Sequence, residues 1–164
     1  AGGAAKCRYV VEELGFDACA DHRAASVYAE LRRACPNGID VYYDNVGGPV
    51  LAAVMRLINQ GARIPLVGMI SQYNATRPEP GPNLMPLLVK RARIQGMIVN
   101  DHADRQADFL ADMTRWLAEG EVKYREHVVE GLANAPKAFC GLFRGENFGK
   151  LLVKVAQPSA AGKA

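Results

Sequence analysis

The chain has 164 residues, with 20 lysines and arginines against 17 aspartates and glutamates, a net charge of +3 and 49% hydrophobic residues. This composition excludes a disordered or collagen-like chain and suits one domain or a piece of a larger protein. Every apolar run is shorter than the roughly 20 residues that cross a bilayer, and residues 1–6 lack the pattern of a signal peptide. We expect a cytoplasmic protein with no membrane partner.

The metal-ligating residue types are scattered along the chain. No C-x-x-C pair occurs, and the spacing does not suggest a disulfide framework. We therefore expect free thiols, buried or half-buried, and no metal site. The cysteines are Cys7, Cys19, Cys35 and Cys140, and the histidines are His22, His102 and His127. One short basic run, Lys90–Arg93, has no interleaved aromatic residues, so no nucleic-acid partner is expected either.

Helices and strands are predicted to alternate in the first part of the chain. Apolar residues at helical spacing predict a helix over residues 4–14, and Gly15 follows where a helix commonly ends. A short strand is predicted over 16–21, then a helix over 24–35. The β-branched and aromatic residues of 39–44 predict another strand.

The alternation continues towards the middle of the chain. After a turn at 45–48, a helix is predicted over 50–58 and a strand over 62–69. The proline-rich stretch 72–86 predicts a long loop, which in a compact domain is usually functional. A short helix over 84–92 and a strand over 93–99 follow. Strands alternating with helices predict a doubly wound parallel sheet.

The pattern changes after residue 99. We expect a long helix over 104–119, a strand over 124–129, a helix over 133–143 and a last strand over 149–155. We therefore divide the chain into a first, sheet-forming segment at 1–99 and a second segment at 100–156. Residues 157–164 are small or polar, and we expect a disordered tail.

A ligand crevice is expected beyond the carboxyl ends of the parallel strands. The loops after Asp44, Met69 and Val99 would line this crevice. Gly47-Gly48 allows a close approach of main chain to a ligand, although a lone Gly-Gly pair is more often a tight turn. The G-x-G-x-x-G fingerprint that holds a pyrophosphate is absent from the sequence.

Four groups of residues carry a resemblance to a known family. They are Lys6-Cys7-Arg8-Tyr9 with Leu14-Gly15-Phe16-Asp17, Asp40 to Gly48 (DVYYDNVGG), Val67 to Asn74 (VGMISQYN) and Gly145 to Lys150 (GENFGK). In this order they resemble the zinc-independent medium-chain dehydrogenase/reductases of the prostaglandin reductase type, which are NADPH-dependent alkenal reductases. The resemblance runs from Ala1 to about Val155. It implies an α/β fold, a partial Rossmann-like doubly wound parallel sheet that lacks its first strands, followed by the C-terminal return to the catalytic domain.

The resemblance also implies a binding map for NADP(H). Residues 1–6 resemble the turn after the second strand, where an acidic residue would hold the ribose of NAD. No acidic residue occurs there, whereas Gly3 would expose backbone amides and Lys6 would offer an ammonium, which suits a 2′-phosphate. His22 stands where the family commonly has a tyrosine. By itself, Lys6 could equally be a solvated residue at a helix start.

Further cofactor contacts are implied along the rest of the chain. Asn45 matches a residue near the cofactor, and Asn147 matches a late contact from the returning domain, although either could be a simple loop asparagine. A segment along the nicotinamide and a stretch of backbone near the carboxamide complete the map. The nicotinamide segment consists of Val67, Gly68, Met69, Ile70, Ser71, Gln72 and Tyr73. The carboxamide segment consists of Met97, Ile98 and Val99.

The reaction implied is hydride transfer from NADPH to the β-carbon of an α,β-unsaturated ketone or aldehyde. The enolate that results needs a hydrogen-bond donor at its oxygen, and Tyr73 is the candidate catalytic residue. Two alternatives remain open. One is a related NADPH quinone reductase, and the other is a non-catalytic oligomerisation fragment that uses the nucleotide-type sheet.

If the resemblance holds, the chain begins after the second strand of the cofactor domain. The sheet would then have an open edge, so we expect the isolated chain to rearrange its sheet, exchange elements with a partner or pair its edges. It should have little reductase activity. A homodimer is implied by the resemblance, because the strand near 93–99 commonly pairs across subunits in the family.

Overall fold

A computed structural model describes residues 1–156 of the chain. It divides into two compact units, and the second unit begins at Met113. The predicted tail at 157–164 lies outside the described residues, and the division into 1–99 and 100–156 stays a prediction. Among residues 1–156, no helix is long and apolar enough to span a membrane.

The first unit contains a three-stranded parallel sheet in the order β1-β2-β3. In chain order its elements are α1 (Ala4–Glu12), α2 (Val27–Ala34), β1 (Ile39–Val41), α3 (Gly48–Met55), β2 (Ile58–Leu66), α4 (Met85–Lys90) and β3 (Arg93–Gly96). Two short 3₁₀ segments follow β2 and β3, at Ile70–Gln72 and Val99–Arg105. This arrangement confirms the expected α/β fold with a partial parallel sheet.

The core of the first unit lies between helix α3 and one face of the sheet. Val54 is 0% exposed and Ile64 is 1% exposed, and each stabilises the fold by about 1.5–3 kcal/mol through burial. Half-buried Leu31 of α2 and Leu87 of α4 pack against the same cluster. The remaining buried members are Ile39, Leu51, Met55, Ile58 and Ala62.

The predicted strand at 16–21 is absent from the structure. This segment makes no strand pairing, and α1 and α2 are joined instead by an irregular connection. Short apolar sequences become strands only where a neighbouring strand offers backbone partners. The prediction was wrong because the local pattern could not show that this partner is missing.

The second unit contains a separate two-stranded parallel sheet. Helix α5 (Gln106–Ala118) crosses the boundary between the units, and β4 (Glu126–Glu130), α6 (Ala135–Phe143) and β5 (Lys150–Lys154) follow. Strands β4 and β5 pair in parallel from Glu126 opposite Lys150 to Glu130 opposite Lys154. The last helix and two strands therefore agree with the sequence prediction.

Candidate functional site

Asp44 organises the turn that follows β1. Its side chain is 0% exposed, and Oδ1 accepts hydrogen bonds from the Val46 amide at 2.8 Å and the Gly47 amide at 2.9 Å. The Tyr42 hydroxyl donates to the same oxygen at 2.9 Å. An aspartate that binds amides two and three residues ahead fixes a tight turn. The turn 45–48 is thus held at the carboxyl end of β1.

A second loop, residues 67–73, follows β2 and is bonded directly to this turn. The main-chain carbonyl of Asp44 accepts the amides of Val67 at 2.8 Å and Gly68 at 3.1 Å. The Ile70 amide donates to the Asn45 carbonyl at 3.2 Å, and the Ser71 amide donates to the Val46 carbonyl at 3.1 Å. Two loops distant in sequence therefore form one hydrogen-bonded unit, here called the paired loops.

Glycines permit this close contact between the paired loops. A Cβ added at Gly68 would lie 3.2 Å from the carbonyl oxygen of Asn45 and 3.3 Å from the Tyr73 hydroxyl. Gly47 has φ +67 and sits against the side chain of Met69. Positive φ and close backbone approach are the conditions that favour glycine.

Tyr73 presents its phenol at the surface of the paired loops. The side chain is 64% exposed, and its hydroxyl oxygen accepts the Met69 amide at 3.4 Å. Because the oxygen is the acceptor in this bond, the phenol proton remains for donation to another oxygen. Asn45 and Ser71 are also exposed on the paired loops. The structure thus brings together the predicted residues Asn45 and 67–73.

The predicted carboxamide segment lies at the same edge of the sheet. The Met97 amide donates to the Leu66 carbonyl at 3.0 Å, so the chain after β3 runs beside the end of β2. Met97 is half-buried, whereas Ile98 and Val99 are 59% and 73% exposed. Met97 also lines a cavity of about 450 Å³ together with Arg63, Arg93, Gln95, Asp101 and His102.

The residues predicted to bind the 2′-phosphate are arranged only partly as expected. Gly3 begins α1 with φ +90, but its amide donates to Asp21 Oδ1 at 2.9 Å and so is already occupied. The expectation that Gly3 exposes its amide was wrong. Asp21 also accepts the Arg23 amide, and these backbone donors lower the pKa of its carboxyl.

His22 is brought close to the start of α1. A Cβ added at Gly2 would lie 2.9 Å from the imidazole Cε1 atom, and the His22 amide donates to the Ala1 carbonyl at 3.0 Å. Desolvation lowers the pKa of His22. Lys6 is half-buried in the first turn of α1. His22 therefore lies beside the residues that precede α1, and Lys6 follows them in the first turn of that helix.

Asn147 belongs to the second unit. Its amide nitrogen donates to the Gly149 carbonyl at 2.7 Å, which closes the turn before β5. The side chain lines a cavity of about 320 Å³ with His127, Lys137, Glu146 and Asn134. This hydrogen bond supports the alternative that Asn147 is a turn-forming asparagine. Its role in cofactor binding stays a prediction.

The sequence analysis missed two structural carboxylates, Asp44 in the turn after β1 and Asp21 beside the start of α1. It singled out Asn45 rather than Asp44, and it noted the lack of an acidic residue in 1–6 without foreseeing that Asp21 folds onto Gly3. An aspartate at a strand end, followed by a glycine pair, is a recognisable signal for a side-chain-capped turn. The contact between Asp21 and Gly3 joins residues 18 apart and left no local signal.

The four cysteines are free thiols. Cys7, Cys19 and Cys35 are half-buried and free, whereas Cys140 is exposed, contrary to expectation. Desolvation, followed by the neighbouring Cys19 thiol, raises the pKa of Cys7. Within residues 1–156, no group of three or more histidine, cysteine or acidic side chains could hold a metal ion.

Comparison with known proteins identifies the family. The profile of the family described as "Zinc-binding dehydrogenase" matches residues 14–153. The chain is 49% identical over 162 residues to the NADPH-dependent curcumin reductase of Escherichia coli K12, covering 95% of this chain and 47% of that protein. It is 37% identical over 157 residues to rat prostaglandin reductase 1, covering 94% and 47%.

A solved structure agrees with these sequence matches. The crystal structure of CurA from Vibrio vulnificus in complex with NADPH is 53% identical, with a TM-score of 0.89, and the match covers 96% of this chain and 48% of that one. The chain belongs to the zinc-binding dehydrogenase family, and the resemblance to the prostaglandin reductase type is confirmed. It spans about half the length of the curated relatives it matches.

Proposed function

We propose that these residues are part of an NADPH-dependent oxidoreductase that reduces the carbon–carbon double bond of α,β-unsaturated ketones or aldehydes. The observation that carries the proposal is the paired loops. They place Asn45, Ser71 and Tyr73 side by side at the carboxyl edge of a parallel sheet, where such folds bind ligands. The relatives named NADPH-dependent curcumin reductase and prostaglandin reductase support the same reaction class.

The residues present fit a nicotinamide cofactor. Glycines at 47, 48 and 68 keep the paired loops free of side chains where a Cβ would meet the opposite loop, and polar groups are exposed beside them. We assign Asn45 and residues 67–73 to the nicotinamide side and residues 97–99 to its carboxamide. Asn147 is assigned to a later contact.

The adenosine 2′-phosphate is assigned to the group at the start of α1. The Gly3 amide is held by Asp21, so Lys6 supplies the positive charge that this assignment needs. His22, beside Gly2, offers a ring for stacking or hydrogen bonding. The carboxylate of Asp21 orders the loop through backbone amides, which leaves the selection of the phosphate to Lys6.

NADPH supplies the hydride when it is bound, and the protein must stabilise the enolate that forms. Tyr73 performs this role in our proposal by donating its phenol proton to the substrate oxygen. The Met69 amide donates to the phenol oxygen and so orients the ring and strengthens its hydroxyl as a donor. No metal ion enters this scheme.

Substitution of Tyr73 tests the proposed reaction in the complete polypeptide that contains these residues. Tyr73→Phe should lower kcat for an enone about 10²-fold, since one donor to a developing oxyanion is commonly worth that much, while the KM for NADPH changes little. Tyr43→Phe is the matched control, because Tyr43 is 54% exposed and lies outside the paired loops. Equal kcat values for the two variants would show that Tyr73 does not take part in the reaction.

The cellular setting and assembly are also proposals. We propose a cytoplasmic homodimer in which β3 pairs with its counterpart, since β3 is bonded only to β2 among the described residues. A parallel-sheet edge with unpaired backbone groups favours such pairing. Light scattering of the protein and of an Ile94→Pro variant would test it. A monomer in both cases would contradict the dimer.

A further inference from the structure

We propose that Asp44 is a positioning residue that joins the paired loops into one preformed cofactor-binding unit. The inference rests on the proposed function and deepens it. Asp44 is fully buried, so its side chain is not open to solvent on the surface of the paired loops. It acts through the residues that it holds.

The side chain of Asp44 holds the first loop. Three donors converge on Oδ1, namely the Val46 and Gly47 amides and the Tyr42 hydroxyl, all at 2.8–2.9 Å. Hydrogen bonds to a charged acceptor are roughly twice as strong as neutral ones. The carboxylate therefore fixes the direction in which the Asn45 and Val46 carbonyls point.

These two carbonyls in turn hold the second loop. They accept the Ile70 and Ser71 amides at 3.2 Å and 3.1 Å. The main-chain carbonyl of Asp44 binds Val67 and Gly68 at the base of the same loop. A disturbance of the Asp44 side chain must consequently reach Ile70 and Ser71, although the hydrogen bonds of that side chain go to Tyr42, Val46 and Gly47.

The other carboxylate oxygen of Asp44 carries an energetic cost. Oδ2 is buried and has no hydrogen-bond partner among the described residues. Burying an unpaired polar atom costs free energy. A residue with this cost is expected to contribute geometry, and the geometry it provides is the orientation of the paired loops.

Amide hydrogen exchange on the complete polypeptide that contains these residues tests the coupling without any cofactor. In Asp44→Ala, the amides of Ile70 and Ser71 should exchange about tenfold faster or more, equivalent to about 1.4 kcal/mol, although their acceptors are unchanged. Asp44→Asn retains an oxygen acceptor and should show an intermediate increase. It also provides the test if Asp44→Ala does not fold.

A core substitution provides the matched control. Val54→Ala weakens the core of the first compact unit. Val54 takes no part in the hydrogen bonds of the Asp44 carboxylate. It should accelerate exchange across the unit without selecting Ile70 and Ser71. If Asp44→Asn and Val54→Ala give the same pattern of exchange, or if Ile70 and Ser71 are unaffected by Asp44→Asn, the coupling is refuted.

Cofactor kinetics in the complete polypeptide test the second half of the proposal. Asp44→Asn should raise the KM for NADPH several-fold with a smaller effect on kcat, and Val54→Ala should leave this KM unchanged. An unchanged KM in Asp44→Asn would overturn the positioning role. If the wild-type protein does not use NADPH, the proposed function fails, and the exchange pattern still decides whether Asp44 couples the loops.

Discussion

Gly48 lies against Ser71 so closely that a Cβ atom at residue 48 would come within 2.8 Å of the serine Oγ. Gly48 also has φ +54, in the left-handed region that favours glycine. The contact joins the first residue of α3 to the loop after β2. Both backbone conformation and space therefore favour glycine at this position.

Gly48→Ala should lower the free energy of unfolding by about 2–3 kcal/mol, because backbone strain of about 1–2 kcal/mol adds to the clash with Ser71. Gly61→Ala is the control, since Gly61 has φ +76 and no neighbouring atom within 4 Å of an added Cβ. It should cost only the strain. Urea denaturation measures both values, and equal losses would show that the contact with Ser71 is unimportant.

The sequence predicted strands β2 and β3 better than the segment 16–21 between α1 and α2. Ile64 is buried in the core and Ile94 is half-buried against it, and the local pattern sufficed to predict both strands. The stretch at Ala18 has a similar pattern and forms no strand, because strand formation depends on partners elsewhere. Strand β2 begins at Ile58, four residues earlier than predicted, since α3 already ends at Met55.

The candidate site was predictable in outline for a similar reason. Asn45 and Tyr73 follow strand ends, and parallel strands bring their carboxyl ends to one edge. The bond from Ile70 to Asn45 and the burial of Asp44 depend on the exact path of the main chain. No sequence pattern specifies that path, which is why Asn45 was chosen and its neighbour Asp44 was overlooked.

The core beneath the sheet offers a direct test of the fold. Ile64→Ala should lower the free energy of unfolding by about 2–5 kcal/mol, because Ile64 is 1% exposed and its loss leaves a cavity. Leu88→Ala is the control, since Leu88 is 73% exposed in α4. It should change stability by less than about 0.5 kcal/mol. A large loss at Leu88 would indicate that this surface is covered.

Tyr42 should ionise only at unusually high pH. Desolvation, followed by the hydrogen bond to Asp44, raises the pKa of its phenol well above the usual value of 10.0. Since the folded pKa exceeds the unfolded one, the stabilising contribution is complete below about pH 10 and is lost as the pH rises further. The free energy of unfolding should therefore fall with pH in that range.

Ultraviolet absorbance titration checks this ionisation. In the folded protein, Tyr42→Phe should leave the absorbance change near pH 10 unaltered, because Tyr42 contributes none of it. In denaturant, where the phenol is exposed to water, the same substitution should remove part of the change. A reduced amplitude in the folded variant would contradict the buried pair of Tyr42 and Asp44.

We propose that these residues form the NADPH-selective part of a reductase. Calorimetric titration of the complete polypeptide with NADPH and NADH, beside Lys6→Ala, tests it most directly. We predict tighter binding of NADPH and, in Lys6→Ala, a preference for NADPH reduced about tenfold through loss of a charge pair. Lys123→Ala, a control in the second unit, should keep the preference. Equal affinity for both cofactors, or an unchanged preference in Lys6→Ala, would contradict the account.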